Sequence, residues 1–211
     1  MEPILRYIHD PLCGWCYAVA PLVSALAERF PDLEVRLHGG GLFEGRRVDA
    51  RHVERIRASD ARIAAVSGQP FGAAYRHGLL ESGEMRLDSP AVSAAILAVE
   101  ALAPDRALSM LEAVQRAHYR EGRRVADPDV LGELAAQEGV VREDFAGAFA
   151  AGRERVRSHI ADTRRRMARL GARGFPTLVL ERHGQQEVLD HAGFYARPEA
   201  FVEALRPRLP A

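Results

Sequence analysis

The chain predicts an α/β fold whose sheet is assembled from both ends of the sequence, with a long helical block inserted between them. Three observations carry that reading. Residues 3–45 pass from an apolar run through helical periodicity to strict alternation, the pattern of a β-α-β unit. From about Arg46 to Leu170 the apolar residues recur at helical spacing almost throughout. After Leu170 two strand-like runs and a last amphipathic segment return, giving β-β-α. The expected division is residues 1–45 with 171–211 as one sheet-bearing unit and 46–170 as an inserted helical domain.

Residues 3–9 are mostly apolar, as in a central strand covered on both faces. From Gly14 to about Phe30, the residues Val19, Leu22, Val23, Leu26 and Phe30 share one helical stripe. Pro21 lies inside it and removes one backbone hydrogen bond, so a kink is expected there. Leu33, Val35 and Leu37 then alternate with Glu34, Arg36 and His38, which predicts a strand with one wet face at a sheet edge. A parallel pairing with the first strand would run through a right-handed crossover. Gly39-Gly40-Gly41 lacks the spacing of a phosphate-binding loop and reads as an exit hinge.

In the helical block, Val53, Ile56, Ile63 and Val66 mark one helix, ended by Gly68-Gln69-Pro70. Ser89-Pro90 and Asp127-Pro128 each read as an N-cap followed by proline in the first turn. Val92, Ile96, Val99 and Leu102 form one stripe, and Val156, Ile160, Met167 and Leu170 another. Arg153, Arg155, Arg157, Arg164, Arg165 and Arg166 read as a solvated face, and His118, Tyr119, Phe145 and Phe149 as core residues. Beyond the block, 177–180 is a strand, 183–186 a hairpin connection and 187–191 its antiparallel partner, closed by Gly193. The last helix begins at Pro198, carries Phe201, Val202 and Leu205, and ends before Pro207.

With 211 residues and 47% hydrophobic content the chain buries a core as one unit or two closely joined ones. Its formal net charge is zero, which gives no general attraction to nucleic acid or an anionic membrane, and neither is expected as a partner. Lysine and asparagine are absent, which we read as genome base composition. No apolar run approaches the roughly 18 residues of a membrane-spanning helix. Arg6 interrupts the first hydrophobics, so no secretory leader is read and a cytoplasmic location is expected.

The only two cysteines, Cys13 and Cys16, sit in Asp10-Pro11-Leu12-Cys13-Gly14-Trp15-Cys16, between the first strand and the first helix. Unpaired N–H groups and the positive end of the helix dipole favour a thiolate at such a junction. Cys13 is the expected nucleophile, and Cys16, one turn along, the thiol that resolves a mixed disulfide at Cys13. Two cysteines make no disulfide framework, and a zinc site needs four ligands where the sequence offers only His9 nearby. Redox chemistry is therefore expected and metal is not.

The element order, the CxxC at the strand-to-helix junction, a proline five residues after Cys16 and Phe175-Pro176-Thr177 at the third strand resemble the thioredoxin fold. The long helical insertion resembles its DsbA branch. More narrowly, Asp10-Pro11-Leu12-Cys13-Gly14-Trp15-Cys16-Tyr17, Gly40-Gly41-Leu42 and Gly174-Phe175-Pro176-Thr177 resemble the signal-less, FrnE-like predicted disulfide isomerases of bacteria. The resemblance implies a thiol-disulfide oxidoreductase or isomerase acting on protein or small-molecule disulfides through Cys13 and Cys16. It makes Pro176 a cis-proline against the cysteines, leaving the Phe175 backbone free to pair with an extended substrate. Gly14, Trp15, Phe175, Pro176 and Thr177 are the expected substrate contacts. Trp15 stands where strongly oxidising relatives carry a histidine that stabilises the thiolate, which implies a less favoured reduced form. Asp10, three residues before Cys13, would raise the thiol pKa at close range or relay a proton for Cys16, and of these readings an orientation to solvent is the one expected. No metal or organic cofactor is implied, with glutathione a potential co-substrate. Two alternatives stay open: a glutathione-dependent transferase or isomerase of the kappa-class type, whose members carry serine in place of Cys13, and a redox-regulated binding protein without turnover.

Overall fold

The strand on which the sheet is built is β1 (Ile4–His9). The computed structural model describes residues 3–209; positions 1–2 and 210–211, the outer limits of the expected sheet-bearing unit, lie outside them. β1 pairs in parallel with β2 (Glu34–Gly39) and antiparallel with β5 (Thr177–Arg182), which pairs in turn with β6 (Gln185–Leu189). The strand order is β2-β1-β5-β6, so β2 occupies the edge that its alternation predicts. Ile8 lies opposite Thr177. That register brings the start of the third long strand beside the end of β1, where the cysteine turn begins.

Both faces of the central strands are covered, as their apolar runs require. Leu5 and Tyr7, with Leu178 and Leu180, belong to the main core. Ile8 and Val179 face the other way, onto Met167. α1 (Gly14–Arg29) runs continuously through Pro21. The carbonyl that Pro21 leaves without its helical donor is that of Tyr17, and it accepts from the Gln69 side-chain amide at 3.0 Å. α7 (Pro198–Leu205) packs on α1 through buried Phe201, Val202 and Leu205.

The block between β2 and β5 differs from the reading in three places. Two-residue strands β3 (Arg46–Arg47) and β4 (Arg86–Leu87) pair across the ends of its first portion, too short to leave a period in the sequence. Within it run α2 (Ala50–Ser67) and Ala74–Leu79, wound as a π-helix. α3 (Ser89–Leu102) is capped by Asp88, which accepts from Ala91 N–H at 3.1 Å, because the Ser89 hydroxyl is spent elsewhere. Val66 and Leu102, placed on apolar stripes, are exposed near the ends of their helices. α4 (Ala107–Tyr119), α5 (Pro128–Gln137), capped by Asp127 as expected, and α6 (Arg142–Leu170) complete the block.

The final hairpin is tighter than expected. His183 and Gly184 take left-handed backbone conformations with φ of 50° and 76°, so two residues make the turn, and Gln185 and Gln186 join β6.

Candidate active site

Cys13 is the N-cap of α1, with extended backbone at φ −87° and ψ 119°. Its carbonyl accepts from the N–H groups of Cys16 and Tyr17 at 2.9 and 3.0 Å. Both cysteines are free. Cys13 is 8% exposed and Cys16 wholly buried, so only Cys13 keeps any contact with solvent. The Cys13 thiol is held below its ordinary pKa, first by the hydrogen bond with the Cys16 thiol and further by the backbone N–H groups of Cys16 and Trp15, against burial and the charge of Asp10. Cys16 is pushed far up, first by burial and then by sharing its environment with Cys13. The Asp10 N–H points at Cys16 Sγ from 3.4 Å, and the Tyr7 hydroxyl donates to the Cys16 carbonyl at 2.9 Å.

The second wall comes from the far end of the chain. Phe175–Pro176 is a cis peptide bond, and the Phe175 carbonyl lies 3.9 Å from Cys13 Sγ. Thr177 Oγ1 donates back to the Gly174 carbonyl at 2.9 Å, closing the turn that leads into β5. On the other side of Cys13, Trp15 is half-buried, 5.4 Å from the Tyr195 ring, with the Arg62 guanidinium 5.8 Å above its centre. Every residue singled out from the sequence for this site, namely Cys13, Gly14, Trp15, Cys16, Phe175, Pro176 and Thr177, falls in this one region.

Asp10 does not point to solvent. It is completely buried, and its carboxylate accepts from Leu12 N–H (3.0 Å), Leu42 N–H (2.6 Å) and the Ser89 hydroxyl (3.0 Å). Burial raises its pKa, and those three donors with nearby Arg164 oppose the rise. This carboxylate ties the cysteine turn to the chain leaving β2 and to the start of α3, and it explains why Ser89 does not cap its own helix. The glycine run after β2 is more than an exit. A Cβ on Gly40 would lie 2.1 Å from the Phe175 ring, so only glycine leaves room for it. Arg164 of α6 donates to the carbonyls of Gly40 (2.6 Å) and Gly41 (2.8 Å), with its guanidinium 4.9 Å from the centre of the Phe175 ring. Arg164 therefore fixes the proline turn, where its position in an arginine-rich run reads as solvated face. Tyr119, read as core, also donates from its hydroxyl to the Leu12 carbonyl at 2.7 Å.

A cleft of about 200 Å³ opens between Cys13, Gly14 and Trp15 on one side and the helical block on the other. A larger groove, about 830 Å³, follows β2 and α6 and reaches neither cysteine. Among the described residues no group of three or more His, Cys, Asp or Glu side chains is placed to hold a metal ion, and no helix is long and apolar enough to cross a membrane.

The model of the DSBA-like thioredoxin domain matches residues 7–206. The chain belongs to this family. It shares 45% identity with the cytosolic disulfide reductase DsbM from Pseudomonas aeruginosa, over 97% of this chain and 98% of that one, at a TM-score of 0.90. A second structure of DsbM, with GSH, matches at 46% identity over 97% and 98% of the two chains, at a TM-score of 0.89. A crystal structure from Nitrosomonas europaea, at 22% identity over 99% of both chains and a TM-score of 0.80, shares the fold. The comparison with curated proteins gives no match. As a DSBA-like protein the chain is a thiol-disulfide oxidoreductase that works through its CGWC dithiol on thiol and disulfide substrates.

Proposed function

We propose that the protein is a cytoplasmic disulfide reductase in which Cys13 attacks, Cys16 resolves and glutathione restores the dithiol. The observation that carries the reading is the asymmetry of the two sulfurs. Cys13 is accessible and held toward thiolate at a helix N-terminus, while Cys16 is buried and held as thiol. The Cys13 thiolate attacks a substrate disulfide, forming a mixed disulfide and expelling one substrate thiolate. Cys16 loses its proton and attacks Cys13 Sγ, releasing the second substrate thiol and leaving a Cys13–Cys16 disulfide. Two molecules of glutathione then reduce that disulfide and leave as glutathione disulfide.

Gly14 and Trp15 offer a small step and a flat wall to the incoming sulfur, and the backbone from Phe175 to Thr177 offers polar groups to an extended substrate. The relation to DsbM, named as a cytosolic disulfide reductase and crystallised with GSH, supports both the direction of electron flow and the choice of glutathione. The test is turnover of insulin, or of a small alkyl disulfide other than glutathione disulfide, with a glutathione-recycling system. Wild type is expected to turn over and Cys13→Ala to lose all activity, while Cys16→Ala, given glutathione disulfide without the recycling system, is expected to stop as a glutathionylated protein. Full activity in Cys13→Ala would reject the scheme.

A further inference from the structure

The cleft beside Cys13 is walled mainly by apolar side chains, among them Leu42, Phe43, Ile56, Ile63, Met85 and Leu87. One carboxyl lies among them. Asp60, on the inner face of α2, is 8% exposed, and its Oδ2 accepts from the Tyr75 hydroxyl at 2.8 Å. Its Oδ1 has no hydrogen-bond partner among the described residues and lies 3.5 Å from the position a Cβ on Gly14 would take. The free oxygen therefore abuts the turn that carries Cys13. The titratable groups around it are Tyr75 of the π-helical segment, His118 and Tyr119 of α4, and Cys13 itself. Arg62, two residues on, is turned to the Trp15 ring, and among the described residues no arginine pairs with Asp60. A buried carboxylate with one donor and no counter-ion is costly to keep ionised. Burial accordingly pushes Asp60 up to about 7, with the Tyr75 hydrogen bond pulling the other way.

We propose that Asp60 is the general acid of the exchange reaction, delivering its proton to the substrate sulfur that leaves when Cys13 attacks. The proposal rests on the assignment of Cys13 as the nucleophile. In the step, the Cys13 thiolate forms a bond to one substrate sulfur while the substrate S–S bond breaks, its electron pair going to the departing sulfur. That thiolate takes the Asp60 proton and leaves as a neutral thiol, and the carboxylate regains a proton from water at the cleft mouth. No external oxidant or reductant enters. An alkyl thiolate is a poor leaving group in an apolar cleft, and a donor matched to neutral pH is what the step requires.

The test compares two substrates in single turnovers of the reduced protein. Glutathione disulfide expels an alkyl thiolate, whereas an aromatic nitrobenzoate disulfide expels a thiolate that needs no proton. Asp60→Asn is expected to slow glutathione disulfide about ten-fold or more at pH 7 while leaving the aromatic disulfide within about two-fold of wild type. Equal loss on both substrates, or no loss on the alkyl one, overturns the proposal. Tyr75→Phe guards against a misfolded Asp60 variant. Loss of its hydrogen bond should move the alkaline limb of the wild-type alkyl profile to higher pH, and an unmoved limb overturns the proposal equally. A wild type inert toward both disulfides would instead sink the reductase assignment itself, and the role of Asp60 with it.

Discussion

At the scale of single residues, the chemistry depends on how differently two identical side chains are treated three positions apart. Cys13 has solvent on one side and backbone N–H groups on the other; Cys16 has neither solvent nor a cation, and Asp10 lies close enough to disfavour its ionisation. The order of reactivity follows: the thiolate forms at Cys13 while Cys16 stays protonated. This much was legible from sequence, because a CxxC at a strand-to-helix junction meets the same field wherever it occurs. Asp10 was not. Its burial depends on Leu42 and Ser89, which approach it only after the chain has folded back. Asp60 was equally hidden, since a carboxylate one residue after a serine on an amphipathic helix carries no local mark of burial.

At the scale of elements, three segments distant in sequence meet at the proline turn: the end of β2, the middle of α6, and the approach to β5. Gly40 yields space, Arg164 supplies the two donors, and Phe175 fills the gap. Gly40→Ala forces the Phe175 ring to move and costs about 1–3 kcal/mol of overpacking, concentrated at this turn. The expected outcome is a slower single-turnover reaction of the reduced protein with glutathione disulfide and a modestly lower unfolding midpoint, and kinetics indistinguishable from wild type would contradict it. The strands and most helices were readable because period and caps are local signals. The departures have one physical origin, namely interactions that periodicity does not encode. β3 and β4 are held by a single short pairing, and the Asp88 cap displaces Ser89 because Asp10 claims the Ser89 hydroxyl.

At the scale of the whole molecule, joining both chain ends through one sheet places the proline turn and the cysteines together, and the inserted block then encloses the cleft. The fold also buries histidines. His9 lies in the core with Nδ1 unpartnered among the described residues, and burial, followed by the neighbouring His159 and His38, lowers its pKa to about 3. Between pH 3 and the ordinary value near 6.5 the unfolded chain binds a proton at this site that the folded chain does not. Stability from this group is therefore present above about pH 6.5 and is lost as pH falls. Between pH 6.5 and pH 5 wild type should lose about 1.5 kcal/mol more than His9→Phe in urea unfolding; parallel losses would contradict the assignment. The central claim, that Cys13 carries the thiolate and Cys16 does not, is tested most directly by alkylating the reduced protein with iodoacetamide across pH 5–10 and locating the adduct by mass spectrometry. The account predicts modification at Cys13 alone, with a midpoint below the ordinary cysteine value. Labelling of Cys16 first, or of both at equal rates, would contradict it.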